Sequence, residues 1–153
     1  MSNIIEMSNS DFDVYRNHFS SQVTGIILPE DMNPALSFSI LSRIDIVYSQ
    51  LRLDLSILES RKDYYSKKIN RLEKVIGEGK SEKDRYRDAV HKLENYQETS
   101  ENTVNLYNIY SNIYERYLIV KGFVDILENK QKKMITYNGI MKLDNQLSGI
   151  YES

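Results

Sequence analysis

LSRIDIVYSQLRLDLSILESRKDYYSKKINRLEKVIGEGKSEKDRYRDAV, residues 41–90, decides the fold. Its apolar positions are Leu41, Ile44, Tyr48, Leu51, Leu55, Leu58, Tyr65, Ile69, Leu72 and Ile76. They alternate three and four residues apart, a heptad seam broken only at Lys62. The spacing predicts a helix from about Ser39 to Ile76, roughly 55 Å long. Extra apolar residues at Ile40, Ile46, Val47, Leu53 and Ile57 predict that the first half is buried on more than one side. Gly77 ends the helix, because glycine takes the left-handed cap conformation without penalty. Ser81 and Asp84 then form a capping box, with Asp in place of the usual Glu, and open a returning helix whose core face carries Tyr86, Val90 and Leu93.

Outward from this stretch the chain divides in three. Residues 1–34 form an N-terminal arm, 35–133 the helical hairpin with a third helix, and 134–153 a C-terminal turn or hairpin with a tail. In the arm, Ser10 caps a short helix from Asp11 to about Ser20, with Phe12, Tyr15 and Phe19 on one face and Gly25 at its end. Pro29 marks an extended segment, and Pro34 suits a helix start. The arm either packs back on its own domain or crosses to a neighbouring subunit. Gln97 to Glu101 is polar, a place for the helix to pause, with Ser100 as a new cap. Leu106, Tyr110, Ile113, Tyr117, Val120, Val124 and Leu127 give a third long helix running to about Lys130. Asn138-Gly139 lies between short apolar runs and reads as a small β-hairpin or as a break between helices; the tail from Asp144 reads as mobile. The predicted fold class is all-α: an elongated, coiled-coil-like antiparallel helical hairpin with a third long helix.

Composition excludes much chemistry. There is no cysteine, hence neither a disulfide framework nor a thiolate metal site. His18 and His91 lack metal-ligand spacing, and no nucleophile–base or paired-acid arrangement stands out. Gly79-Lys80-Ser81 resembles the end of a phosphate-binding loop, but Lys74 stands where that motif needs a glycine and a helix precedes it. The N-terminus of the following helix remains a place to attract a phosphate. No enzyme activity, cofactor or metal is expected. The first ten residues lack a basic-then-apolar pattern, and no apolar run is long enough to span a bilayer, so the expectation is a cytoplasmic protein without membrane partners.

Charge is where function shows. The chain is net −2, yet residues 61–87 carry ten basic and five acidic side chains. Arg61, Lys62, Lys67, Lys68, Arg71 and Lys74 precede the turn, and Lys80, Lys83, Arg85 and Arg87 follow it, interleaved with Tyr64, Tyr65 and Tyr86. Cations that follow a phosphate chain, with aromatic rings to stack on bases, are what a single-strand binder needs. The expected nucleic-acid-binding set is Arg61, Tyr64, Lys67, Lys68, Arg71, Lys74, Lys80, Lys83 and Arg87. The competing reading is a solvated or protein-binding face. Tyr107, Tyr110, Tyr114 and Tyr117 follow helical spacing and read as core and subunit-contact packing. Seam surface left uncovered by three helices predicts a homo-oligomer.

A polar arm, a long helix containing Asp63-Tyr64-Tyr65-Ser66, a glycine-containing turn, Asp84-Arg85-Tyr86 opening a returning helix, and a final amphipathic helix resemble the phage recombination mediators of the UvsY type, over residues 34–135. That resemblance implies a small helical protein of the host cytoplasm that assembles into rings, binds single-stranded DNA and helps load a recombinase or assist a helicase. The alternatives are a virion or assembly component acting only by protein–protein contacts, and a small adaptor or inhibitor of a host protein.

Overall fold

The computed structural model describes residues 3–151. The chain is all-α apart from one small hairpin: α1 (Asn9–Thr24), α2 (Pro34–Val75), α3 (Glu82–Glu94), β1 (Tyr96–Thr99), β2 (Asn102–Val104) and α4 (Leu106–Tyr151). It forms two compact units. One joins Glu6–Asp54 to α4 from Ile119 onward, and the other joins Asn3–Ile5 to Leu55–Leu118. No helix among the described residues is long and apolar enough to cross a membrane.

In the first unit the start of α2 runs antiparallel to the later part of α4. The Ser37 hydroxyl donates to Asn138 Oδ1 (2.6 Å) and the Tyr48 hydroxyl to Glu128 Oε1 (3.2 Å), so one helix ascends as the other descends. Ile44, Leu51, Val120, Val124, Leu127 and Met134 of the two helices are buried in this unit. From Glu6 onward the arm folds back onto the first unit. Phe12, Phe19, Val23 and Ile26 are buried, and Tyr15 packs between the two phenyl rings at 5.6 and 4.6 Å. Tyr15 donates to Asp54 Oδ2 (2.6 Å); burial first, and then the carboxylate, hold its phenol well above the usual range. The cap of α1 is Ser8, not Ser10: Ser8 has extended backbone and accepts the Asp11 N–H at 3.1 Å, so the helix begins two residues earlier than expected.

The second face read on α2 is covered only in part, with Val47 and Ile57 half-buried. Ile40 faces the core, but Ile46 and Leu53 lie on the opposite side, 72% and 64% exposed. Their positions are displaced from the buried seam by about half a helical turn. Apolarity alone could not say whether this chain covers them.

In the second unit Leu58, Tyr65 and Ile69 of the seam are buried, as are Ala89, Leu93, Leu106 and Ile113, while Leu72 and Ile76 are half-buried. On α3 the buried face is Ala89 and Leu93, and Tyr86, read as core, is 57% exposed. Lys62 fits the seam because its ammonium lies 4.6 Å from the centre of the Tyr117 ring and 3.2 Å from Asp63. Tyr107 donates to Glu73 Oε1 (2.8 Å). Buried Arg116 donates to the Ile4 carbonyl (2.8 Å), which ties the Asn3–Ile5 segment to this unit.

The returning helix α3 is short, at 13 residues, and in each unit the antiparallel partner of α2 is α4. Ser81 caps α3 as expected, its hydroxyl oxygen accepting the Asp84 N–H (3.1 Å). The return contact differs from a capping box: Asp84 Oδ2 accepts from the Ser81 hydroxyl (2.7 Å), where a box would use the Ser81 backbone N–H. Gly77 does not take a left-handed cap; among the described residues only Gly79 has positive φ (156°). Gly77 is required sterically, since a Cβ there would lie 1.9 Å from the Arg85 carbonyl oxygen. Gly77→Ala should therefore lower stability by about 2–3 kcal/mol, an overpacking cost, seen as a lower urea midpoint at unchanged m-value.

The β-hairpin lies at 96–104, where a helix pause and a Ser100 cap were expected. Tyr96 pairs with Val104, Gln97 with Thr103 and Thr99 with Asn102, with an irregularity between Gln97 and Thr99. Residues 134–143 are neither hairpin nor break, and the predicted mobile tail is helical to Tyr151. Met134 is fully buried and Asn138 accepts from Ser37, so tertiary contacts hold this segment helical against its turn signal. At Gly122, Gly139 and Gly149 an added Cβ would meet nothing within 4 Å, and each glycine costs only about 1 kcal/mol of helix propensity.

Candidate nucleic-acid interface

The cationic part of α2 lies in the second unit. Burial of Tyr65 and Ile69 turns Tyr64, Lys67 and Arg71 outward, since residues three and four apart share a face. Tyr64, Lys67, Lys68 and Arg71 line a shallow groove of about 220 Å³. Among the described residues, no carboxylate lies within salt-bridge distance of these three cations. The groove thus presents positive charge that the fold does not neutralise.

Aromatic rings order the cations. The Lys68 ammonium lies 4.9 Å from the Tyr96 ring centre, and 5.8 and 6.0 Å from those of Tyr64 and Tyr65. The Arg61 guanidinium sits 5.4 and 5.3 Å from Tyr64 and Tyr65, whose rings meet edge-on at 5.2 Å. Each contact is a weak cation–π attraction, on the order of 0.5–1 kcal/mol when exposed, enough to bias side-chain direction without trapping it. Tyr64 is 51% exposed, so part of its ring is open to a ligand.

Five of the nine expected residues, Arg61, Tyr64, Lys67, Lys68 and Arg71, come together here. Lys74 is exposed one turn further along α2. Lys80 in the connecting loop and Lys83 and Arg87 on α3 are exposed and do not line the groove. Sequence reasoning missed Tyr96, which approaches Lys68 only because the hairpin follows α3; its sole signal was an aromatic residue beside the polar pause.

The glycine turn is not a phosphate cradle. The Glu78 N–H donates to Asp88 Oδ2 (2.8 Å), and Lys92 binds Asp88 (2.9 Å) and the Ile76 carbonyl (3.0 Å). The Lys92 hydrogen bond, with that N–H, holds the Asp88 carboxyl below its ordinary range. Glu82 and Asp84 occupy the first turn of α3, so its N-terminus already has anions of its own. Among the described residues, no group of three or more His, Cys, Asp or Glu side chains is placed to hold a metal ion.

The fold and this groove define a helical protein with an uncompensated cationic–aromatic face. Comparison with known protein families, curated proteins and solved structures finds no match to the chain.

Proposed function

We propose that the chain is a non-enzymatic, self-associating accessory protein that binds single-stranded nucleic acid through the groove of Tyr64, Lys67, Lys68 and Arg71. The observation that carries this reading is the set of three cations with no ion-pair partner around a half-exposed tyrosine. Side chains one helical turn apart match the step between neighbouring phosphates of an extended strand, and Tyr64 supplies a face for one base. The groove offers few hydrogen-bond acceptors to read base edges, so binding is sequence-tolerant. The resemblance to phage recombination mediators agrees with this role and names the partners to try: single-stranded DNA and a recombinase or helicase.

Titration of a labelled single-stranded oligonucleotide against salt tests the reading. Contacts to three phosphates give a slope near −2 in log K against log salt, and hence about a twentyfold loss between 50 and 200 mM. Affinity that is absent at low salt, or independent of salt, removes the nucleic-acid reading and leaves the virion-component and adaptor readings.

A further inference from the structure

On the outward side of α2, within the first unit, Ala35, Ser39, Ser42, Ile46, Ser49 and Leu53 repeat at intervals of four and three. This is a second heptad seam, opposite the buried one that contains Ile44 and Leu51. It carries no charge, although a solvated helix face ordinarily does. Its two large residues, Ile46 and Leu53, are the exposed ones noted above, and the rest are small. Asp45 and Arg52 flank it on one side, seven residues apart, exposed, and without ion-pair partners among the described residues.

We infer that this face pairs with the same face of a second copy, antiparallel about a two-fold axis between Val47 and Tyr48. In an antiparallel heptad pair, each first seam position lies opposite a second one of the partner helix. Ile46 then sits against Ser49 of the second copy and Leu53 against its Ser42, so each large side chain of the seam meets a small one and the helix axes come close. The same register brings Asp45 of each copy beside Arg52 of the other, twice by symmetry. A parallel, in-register pair has neither property. It stacks Ile46 on Ile46 and serine on serine, and leaves Asp45 and Arg52 without opposite charges. The charge pattern thus selects a second copy over an unrelated helix. The inference is independent of nucleic-acid binding.

Sedimentation equilibrium of the full chain, without nucleic acid, is the test. The expected result is a dimer. Asp45→Arg and Arg52→Asp each weaken it by about tenfold, and the double exchange restores it, because reversed charges meet again across the axis. Since the chain has no cysteine, copies carrying Ser42→Cys and copies carrying Leu53→Cys provide a second readout: disulfide dimers form when the two are mixed and not in either alone. A monomer at high concentration, a double exchange no better than the single changes, or cross-linking of unmixed Ser42→Cys chains would each overturn the pairing.

Discussion

Reversing Lys67, Lys68 and Arg71 to glutamate weakens single-strand binding on the order of a hundredfold at 50 mM salt, and flattens its salt dependence. The groove's cations have no carboxylate partners in the fold, so the change removes the phosphate contacts and sets three anions in their place. Lys67 and Arg71 are exposed, and Lys68 is half-buried beside the Tyr64, Tyr65 and Tyr96 rings; none of the three belongs to the buried seam, so the variant keeps that seam and its helical circular dichroism. The control is Lys80, Lys83 and Arg87 to glutamate. It alters net charge by the same amount, on residues that do not line the groove, and should cost only a few-fold through the long-range field. Equal losses in the two variants would assign binding to overall charge and not to the groove. Tyr64→Ala separates stacking from charge: about 1–3 kcal/mol of affinity disappears while the salt slope stays. Tyr64→Phe, which keeps the ring, should bind nearly as the parent does.

Much of this architecture was legible because its signals are local or periodic. The seam at Ile44, Leu51, Leu55, Leu58, Tyr65 and Ile69 is buried as its spacing required. The Ser81–Asp84 cap is a four-residue device that needs nothing from elsewhere. The outward turn of Tyr64, Lys67 and Arg71 follows from the phase of the same seam. What stayed hidden depends on partners distant in sequence. Asn138-Gly139 is a hairpin signal only if flanking strands can pair; here Ser37, a hundred and one positions away, bonds Asn138 and the helix continues. Tyr96 reaches Lys68 through a hairpin whose sequence reads merely as polar. Ile46 and Leu53 look like core in a one-dimensional count, and only the placement of α1 and α4 leaves them outside.

Lys130→Met should cost about 2–4 kcal/mol of stability, more than removal of an exposed charge in the first unit. Lys130 Nζ donates to the carbonyls of Val23 (2.7 Å) and Ile26 (2.6 Å), which straddle the Gly25 cap of α1. The last carbonyls of a helix lack intrahelical donors and carry the negative end of its dipole. The last turn of α1 contains no basic residue of its own, so α4 supplies the cation in its stead. Burial, and to a lesser degree Lys133, pull the Lys130 ammonium below its ordinary range, the mark of a charge held where solvent helps it little. Methionine keeps the apolar stem but leaves two carbonyls short of a donor beside buried Val23 and Ile26. Lys132→Ala and Lys133→Ala, exposed neighbours on the same helix, should change stability by about 0.5 kcal/mol or less. Hydrogen exchange then locates the damage. In Lys130→Met the amides of α1 lose protection first, while those of α3 in the other unit keep theirs. Uniform loss across both α1 and α3 would mean that Lys130 supports the whole chain and is not a latch on the arm.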